Sequence, residues 1–368
     1  MTRRKLPRQS NLELFRIVSM FMIVALHFVA QSGARDLPWG KKVIYAIFLG
    51  NGGRLAVLCF VILGAYFLVD SDFKCERIIR IWLETFFYCF TITLLVKYTG
   101  LAPVTDRNIL QAAFPVFGCS VWYPSTYIGL LFISPALNFL IHSVSKRFYQ
   151  YVIGVSLLAY SILPTVLMGM NPFGTSLAGF IVVYLLVGYL KKYPLPILSN
   201  RKLLFLIAIG TYLFIFLFAV LYRRYELHLP LMLREVAEGG LFFSNHYESI
   251  PAFVCAFALF FWFKNLSVKY SRIINTCAKA TFGIYVMHQV PVFLMPLWHQ
   301  IFKTDSWINT PKLLPGSIVV IFTVFIVGVL IDFVRQFFET RLFRNKFMIR
   351  LCGTIDHKLN FLNKGHWG

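Results

Sequence analysis

The chain is poor in charge, and poorest in negative charge. Only 14% of its 368 residues are Asp, Glu, Lys or Arg, against about 25% in an average soluble domain. Acidic residues number 15 and basic ones 36. A disordered chain and an ordinary soluble enzyme are thereby excluded. Cysteine is present without pattern. Cys59, Cys75, Cys89, Cys119, Cys255, Cys277 and Cys352 are scattered and show no CxxC spacing, so neither a disulfide framework nor a zinc site is indicated. HxxxH, Walker, GxGxxG and GxSxG patterns are also lacking. A metal site, nucleotide hydrolysis and a serine nucleophile therefore have no support. No internal repeat or low-complexity stretch stands out.

What is present is apolar. The AVILMFWYC set makes up 58% of the chain, and 39 residues are Phe. This composition fits an all-α, polytopic membrane helix bundle, which at this length is one unit. The net charge of +21 would point to nucleic acid in a soluble protein. Here the positive charges lie between apolar runs, and the membrane reading takes precedence.

A helix needs about 20 apolar residues to cross a bilayer core. Ten segments are predicted to span: 12–31, 43–69, 78–97, 121–143, 150–168, 176–190, 203–222, 249–263, 282–302 and 317–337. The sixth and eighth are short. The segment 43–69 contains Gly50, Gly52 and Gly53, so its first part is open to being broken or re-entrant. With the N-terminus inside, Lys and Arg fall on the cytoplasmic side more than twice as often as outside. This predicts N-in and C-in ends. The expected organisation is a cytoplasmic N-terminus at 1–11, a ten-helix domain at 12–337 and a basic cytoplasmic tail at 338–368. The tail, amphipathic in places, is expected on the anionic leaflet. The first span is no signal peptide, because Glu13 and Arg16 interrupt it and nine more spans follow.

An ionisable residue inside a span marks a functional site by default. The first span carries Glu13, Arg16 and His27. Eleven helical steps of about 100° return to nearly the same azimuth, about 16 Å further along the axis. Glu13, Arg16, Met20, Ile23 and His27 therefore share one stripe, with Arg16 near the cytoplasmic mouth and His27 beyond the midplane. Glu13 is the natural partner for Arg16 at i, i+3. The third span opens with Arg77 and Arg80, three apart. Two roles stay open for this pair: interfacial anchoring, or a clamp in which planar guanidinium groups hold phosphates.

The segment Asn11 to His27, with Arg16, ten residues, then His27, resembles the first helix of the membrane-bound acyltransferase 3 family. Arg77 and Arg80 resemble that family's Arg-x-x-Arg at the start of its third helix. Phe60 to Phe67 resembles its Phe-rich stretch, with Gly64 matching, Leu63 in place of the usual Ser, and Ala65 inserted before the aromatic pair. Trp122-Tyr123 followed by Tyr127 to Leu137, Leu186 to Tyr189, and Phe282-Gly-Ile-Tyr285-Val-Met-His288 resemble further motifs in the same order. The likeness covers about residues 10–340.

The resemblance implies an integral membrane O-acetyltransferase of the cell membrane. It implies transfer of an acetyl group from cytoplasmic acetyl-CoA, as co-substrate and without a metal, to a sugar hydroxyl of a surface glycan or lipid-linked saccharide. On that basis Arg77, Arg80 and Arg16 are expected to hold the donor phosphates. Neutral His27 would be the general base, with an acyl-His route less favoured. Tyr285 and His288, near the inner half of the ninth span, are open to lining the cavity, donating to an oxyanion, or packing. Trp122 and Tyr123 are open to a sugar platform or an aromatic belt. His246 and Glu248, in the most polar outward cluster, are open to acceptor contact or ordinary loop polarity. The competing reading is a transporter or flippase of a lipid-linked or acylated sugar. It would show inverted repeats or paired broken helices, and the sequence displays neither.

Overall fold

A computed structural model of the chain describes residues 8–118, 121–167, 176–231, 234 and 241–359. Arg3, Arg4, Lys5, Cys119 and His366 lie outside them. Each expected span falls on a helix. They are α1 (Ser10–Gln31), α2 (Lys41–Gly50) with α3 (Gly53–Leu68), α4 (Cys75–Thr99), α5 (Trp122–Ser143), α6 (Lys146–Leu157, continued by a π-turn to Val166), α7 (Ser176–Lys192) and α8 (Arg201–Tyr225). Then follow α9 (Ile250–Lys264), α10 (Arg272–Cys277), α11 (Thr281–His288), α12 (Pro291–Met295) and α13 (Leu313–Arg344), and α14 (Lys346–Lys358) closes the series. No strand occurs among the described residues.

Seven of these segments are long and apolar enough to cross a membrane, and an eighth counts if the pair 272–288 and 291–306 is one span. That pair is bent by 89°. Pro291 explains the position of the bend: it has no N–H to continue the ladder and disfavours helical backbone just before it. The expectation of an uninterrupted ninth span is thereby corrected. The break expected in the second span is present only as the short interruption Asn51–Gly52, and α2 and α3 run on as one 28-residue segment. α7 and α9, with 17 and 15 residues, are the short ones, as their sequences indicate.

α1 is the hub. It packs against α2, α3, α9, α11 and α13. Its first turn is pinned by polar side chains rather than by a capping hydrogen bond of its own. Asn11 Nδ2 donates to the Phe263 and Lys264 carbonyls at 3.1 and 2.9 Å, satisfying the open end of α9. Ser10 Oγ donates to Asn275 and accepts from the Ser271 N–H. The start of the Arg16–His27 stripe is therefore fixed before any apolar packing is counted. Farther along, Leu26 meets α3 so closely that a Cβ on Gly53 would lie 2.0 Å from Leu26 Cβ. Only glycine permits this approach.

A second polar cluster ties α4 to α13. Arg335 is 6% exposed and is flanked by Asp332 at 2.6 Å and Glu84 at 3.1 Å, with Glu339 also in contact. Tyr88 donates to Asp332 at 3.0 Å. α14 is tied to the same end by Asp356, which accepts from the Cys75 N–H at 2.8 Å.

Candidate active site

His27 and His288 meet. His27 Nδ1 lies 2.8 Å from His288 Nε2, and His288 Nδ1 lies 2.6 Å from the Ile284 carbonyl. The partners decide the tautomers. A carbonyl oxygen only accepts, so His288 Nδ1 carries the hydrogen and its Nε2 holds a lone pair. His27 must then donate from Nδ1, which leaves the lone pair of His27 on Nε2. His288 is fully buried, so nothing but His27 and its own helix contacts this ring's polar atoms. Sequence reasoning sets the two histidines at different depths. The bend after His288 removes the difference, because α11 ends there instead of running on through the bundle.

His27 borders a cavity of about 310 Å³. Its wall includes Ile23 from the stripe, Trp122 at the head of α5, Tyr285 from α11, and Asn245. It also includes Arg35, Arg54, Gln31 and Gln289, which the sequence reading did not assign to a site. Arg54 had a usable signal, since it interrupts an apolar run beside three glycines. Arg35 had none, being one basic residue in a short connection. A larger cavity of about 590 Å³, bordered by Phe15, Met22, Phe48 and Phe322, carries no charged side chain.

A second, much smaller cavity shares Ile23, Val57 and Tyr285 with the first. Met20, Ile23, Val57, Phe60, Tyr123, Phe282 and Tyr285 enclose about 20 Å³, room for about one water. Tyr123 is stacked on Tyr127 at 5.9 Å and meets Tyr285 edge-on at 5.7 Å. Tyr285 in turn lies 6.4 Å from the His27 ring. An aromatic file thus runs from His27 to Tyr127, which is within charge range of both Arg16 and Arg77.

The remaining expected residues fall as follows. Glu13 lies 3.6 Å from Arg16 and 3.1 Å from Arg8, so the i, i+3 partnership is present. The buried Arg16 Nε has no hydrogen-bond partner among the described residues. Arg77 donates to Ser71 Oγ at 2.8 Å and to the Asp72 carbonyl. Arg80 turns to carboxylates: Glu76 at 2.6 Å and Glu339, with its guanidinium 3.9 Å over the Phe343 ring. The two arginines of the expected clamp therefore have separate partners. His246 pairs with Glu248 at 2.9 Å, while the neighbouring Asn245 faces the cavity.

The fold and this site define a multi-pass membrane protein with a histidine pair beside a polar internal cavity. The family model described as an acyltransferase domain matches residues 9–332, and the chain belongs to the acyltransferase 3 family. No curated protein and no solved structure shows a significant match.

Proposed function

We propose that the protein is an O-acetyltransferase that moves an acetyl group from cytoplasmic acetyl-CoA to a sugar hydroxyl of a surface or exported glycan. The observation that carries this reading is the tautomer order of the histidine pair, which puts an unprotonated Nε2 on His27 beside a cavity of about 310 Å³. In the reaction, the sugar oxygen attacks the thioester carbonyl while His27 Nε2 takes the hydroxyl proton. The C–O bond forms, the C–S bond breaks, and the proton passes to the departing thiolate to give CoA thiol. His288 accepts from His27 Nδ1 throughout and keeps the imidazolium oriented.

On this reading the donor phosphates bind at the Arg16 end. Arg16, held by Glu13 only at 3.6 Å, and Arg77 carry most of that charge recognition. Arg80 contributes less, because two carboxylates already hold it. Glu13 orients Arg16. The pantetheine arm spans about 15–20 Å, close to the helix rise from Arg16 to His27. It would enter through the gap beside Met20, Tyr123 and Phe282, whose side chains must part to admit it. The cell membrane is the site of action that this reading implies.

The test is mass spectrometry of surface glycans from cells carrying the wild-type protein, a deletion, or His27→Ala. The expected result is a glycan that persists but lacks its acetyl increment in both altered strains. A glycan lost altogether, or one acetylated normally with His27→Ala, would favour the transport reading instead. The bent pair beside the cavity is the one feature that transport would also use.

A further inference from the structure

The cavity beside His27 is built for more than a neutral sugar. Arg35 and Arg54 both border it. Among the described residues no carboxylate lies within ion-pair distance of either guanidinium. Arg8, Arg16, Arg80, Arg223 and Arg335, by contrast, are each paired with a carboxylate. Among the described residues no Asp or Glu borders the cavity. Arg35 is half-buried, and burial first, then the nearby Arg54 charge, press its guanidinium below its ordinary value against the pull of Asp36. Two like charges thus border one concavity, with Asp36 near Arg35 but not among the cavity's wall residues.

Arg54 is exposed and Arg35 half-buried, so both guanidinium groups stay within reach of an incoming ligand, and two neighbouring cations on one wall favour an anion between them. We propose that the acceptor carries a fixed anion, a carboxylate or a phosphate, beside the hydroxyl it presents to His27, and that Arg35 and Arg54 hold this anion. The substrate class is then an acidic saccharide: a uronic or other carboxylated sugar, or a saccharide bearing phosphate. The words acceptor and hydroxyl rest on the acyltransferase reading. The anion site itself does not.

The experiment uses the full chain in nanodiscs and reads binding, not turnover. Trp122 borders the cavity, so its fluorescence reports occupancy, and Trp122→Phe identifies that signal. Methyl glucuronide, glucose 6-phosphate and neutral methyl glucoside are titrated in turn, and acetyl-CoA separately. The anionic probe of the correct kind is expected to bind at least about tenfold more tightly than the neutral one. Arg54→Gln and Arg35→Gln should each weaken it by about ten- to a hundredfold, and Arg54→Lys by less. Acetyl-CoA affinity should not change, and unchanged melting temperatures show that the variants are folded. Preference for glucuronide or for sugar phosphate identifies the source of the anion.

Equal binding of neutral and anionic probes overturns the proposal. So does anion binding that neither Gln variant weakens. Loss of acetyl-CoA affinity in Arg54→Gln would make this a donor site and overturn it as well. If Arg-dependent anion binding holds but no acyl-CoA ever yields an acylated product, the acyltransferase reading fails and the anion site stands.

Discussion

Replacing His288 isolates the tautomer argument. His288 borders none of the cavities described above, is fully buried, and meets His27 through a single hydrogen bond. His288→Leu keeps the volume roughly and removes the acceptor. His27 Nδ1–H then has no partner, and the ring is free to put its hydrogen on Nε2, where it cannot act as a base. The imidazolium formed during transfer also loses a charge-assisted hydrogen bond, worth about 1.5–3 kcal/mol. At about 1.4 kcal/mol per tenfold, kcat should fall by about ten- to a hundredfold. The ceiling is the whole value of a general base, about 10²–10⁴. KM for acetyl-CoA and for the acceptor should hold, because His288 contacts neither. His288→Gln supplies an amide oxygen that can accept from the same Nδ1–H, and should restore most of the loss. The assay is CoA thiol release by the reconstituted protein, with kcat and KM determined separately. Wild-type kcat in the Leu variant would refute the reasoning. Equal damage from Gln and Leu would show that packing, not tautomer selection, is what His288 supplies.

Other consequences are independent of that pair. His27→Ala should lower kcat by about 10²–10⁴-fold while acetyl-CoA still binds; substantial residual transfer would remove His27 as the base. Met20→Phe puts bulk into the gap of about 20 Å³ and should cut kcat/KM for acetyl-CoA by about a hundredfold through misplacement of the thioester, with anion-probe binding unaltered. Arg335→Met strands Glu84, Asp332 and Glu339 in the α4–α13 contact and should destabilise by about 3–5 kcal/mol, visible as a lower melting temperature in detergent. An unshifted melting curve would mean that the cluster is solvated. Gly53→Ala forces α1 off α3 beside His27 and should lower stability by about 1–3 kcal/mol, with turnover reduced as well.

Sequence periodicity and charge made the helices legible, since apolar runs in a bilayer solvent leave few alternatives. All ten segments lie on helices, and the two short ones are short in the structure too. The stripe from Glu13 to His27 was legible for the same reason: eleven residues return a helix to one azimuth. The meeting of His27 and His288 was not legible, because 260 residues intervene and only the bend at Pro291 fixes the depth at which α11 stops. The separate commitments of Arg77 and Arg80 were also hidden. Their i, i+3 spacing places them on one helix, but the carboxylate that claims Arg80 comes from Glu339 at the far end of the chain. Arg35 entered the cavity through the chain reversal after α1, which no local pattern announces.

That no carboxylate lies beside the histidine pair among the described residues is consistent with what lies at the two ends of α1. On the proposed reading, an anionic donor head sits at Arg16 and an anionic acceptor group at Arg35 and Arg54. Separated by about the 16 Å rise of eleven helical residues, two unit charges repel by about 1 kcal/mol at an effective dielectric of 20, which the flanking arginines readily offset. A carboxylate in the place of His288 would stabilise the imidazolium more strongly, but it would add a negative charge next to the acceptor's anion. A neutral imidazole sets the same tautomer without that charge. It also holds the proton on His27 less firmly, which suits a step in which that proton must leave again for the CoA thiolate. Glu84, Asp332 and Glu339 lie around Arg335, while the buried Glu13 is taken up by Arg8 and Arg16 and the buried Glu248 by His246.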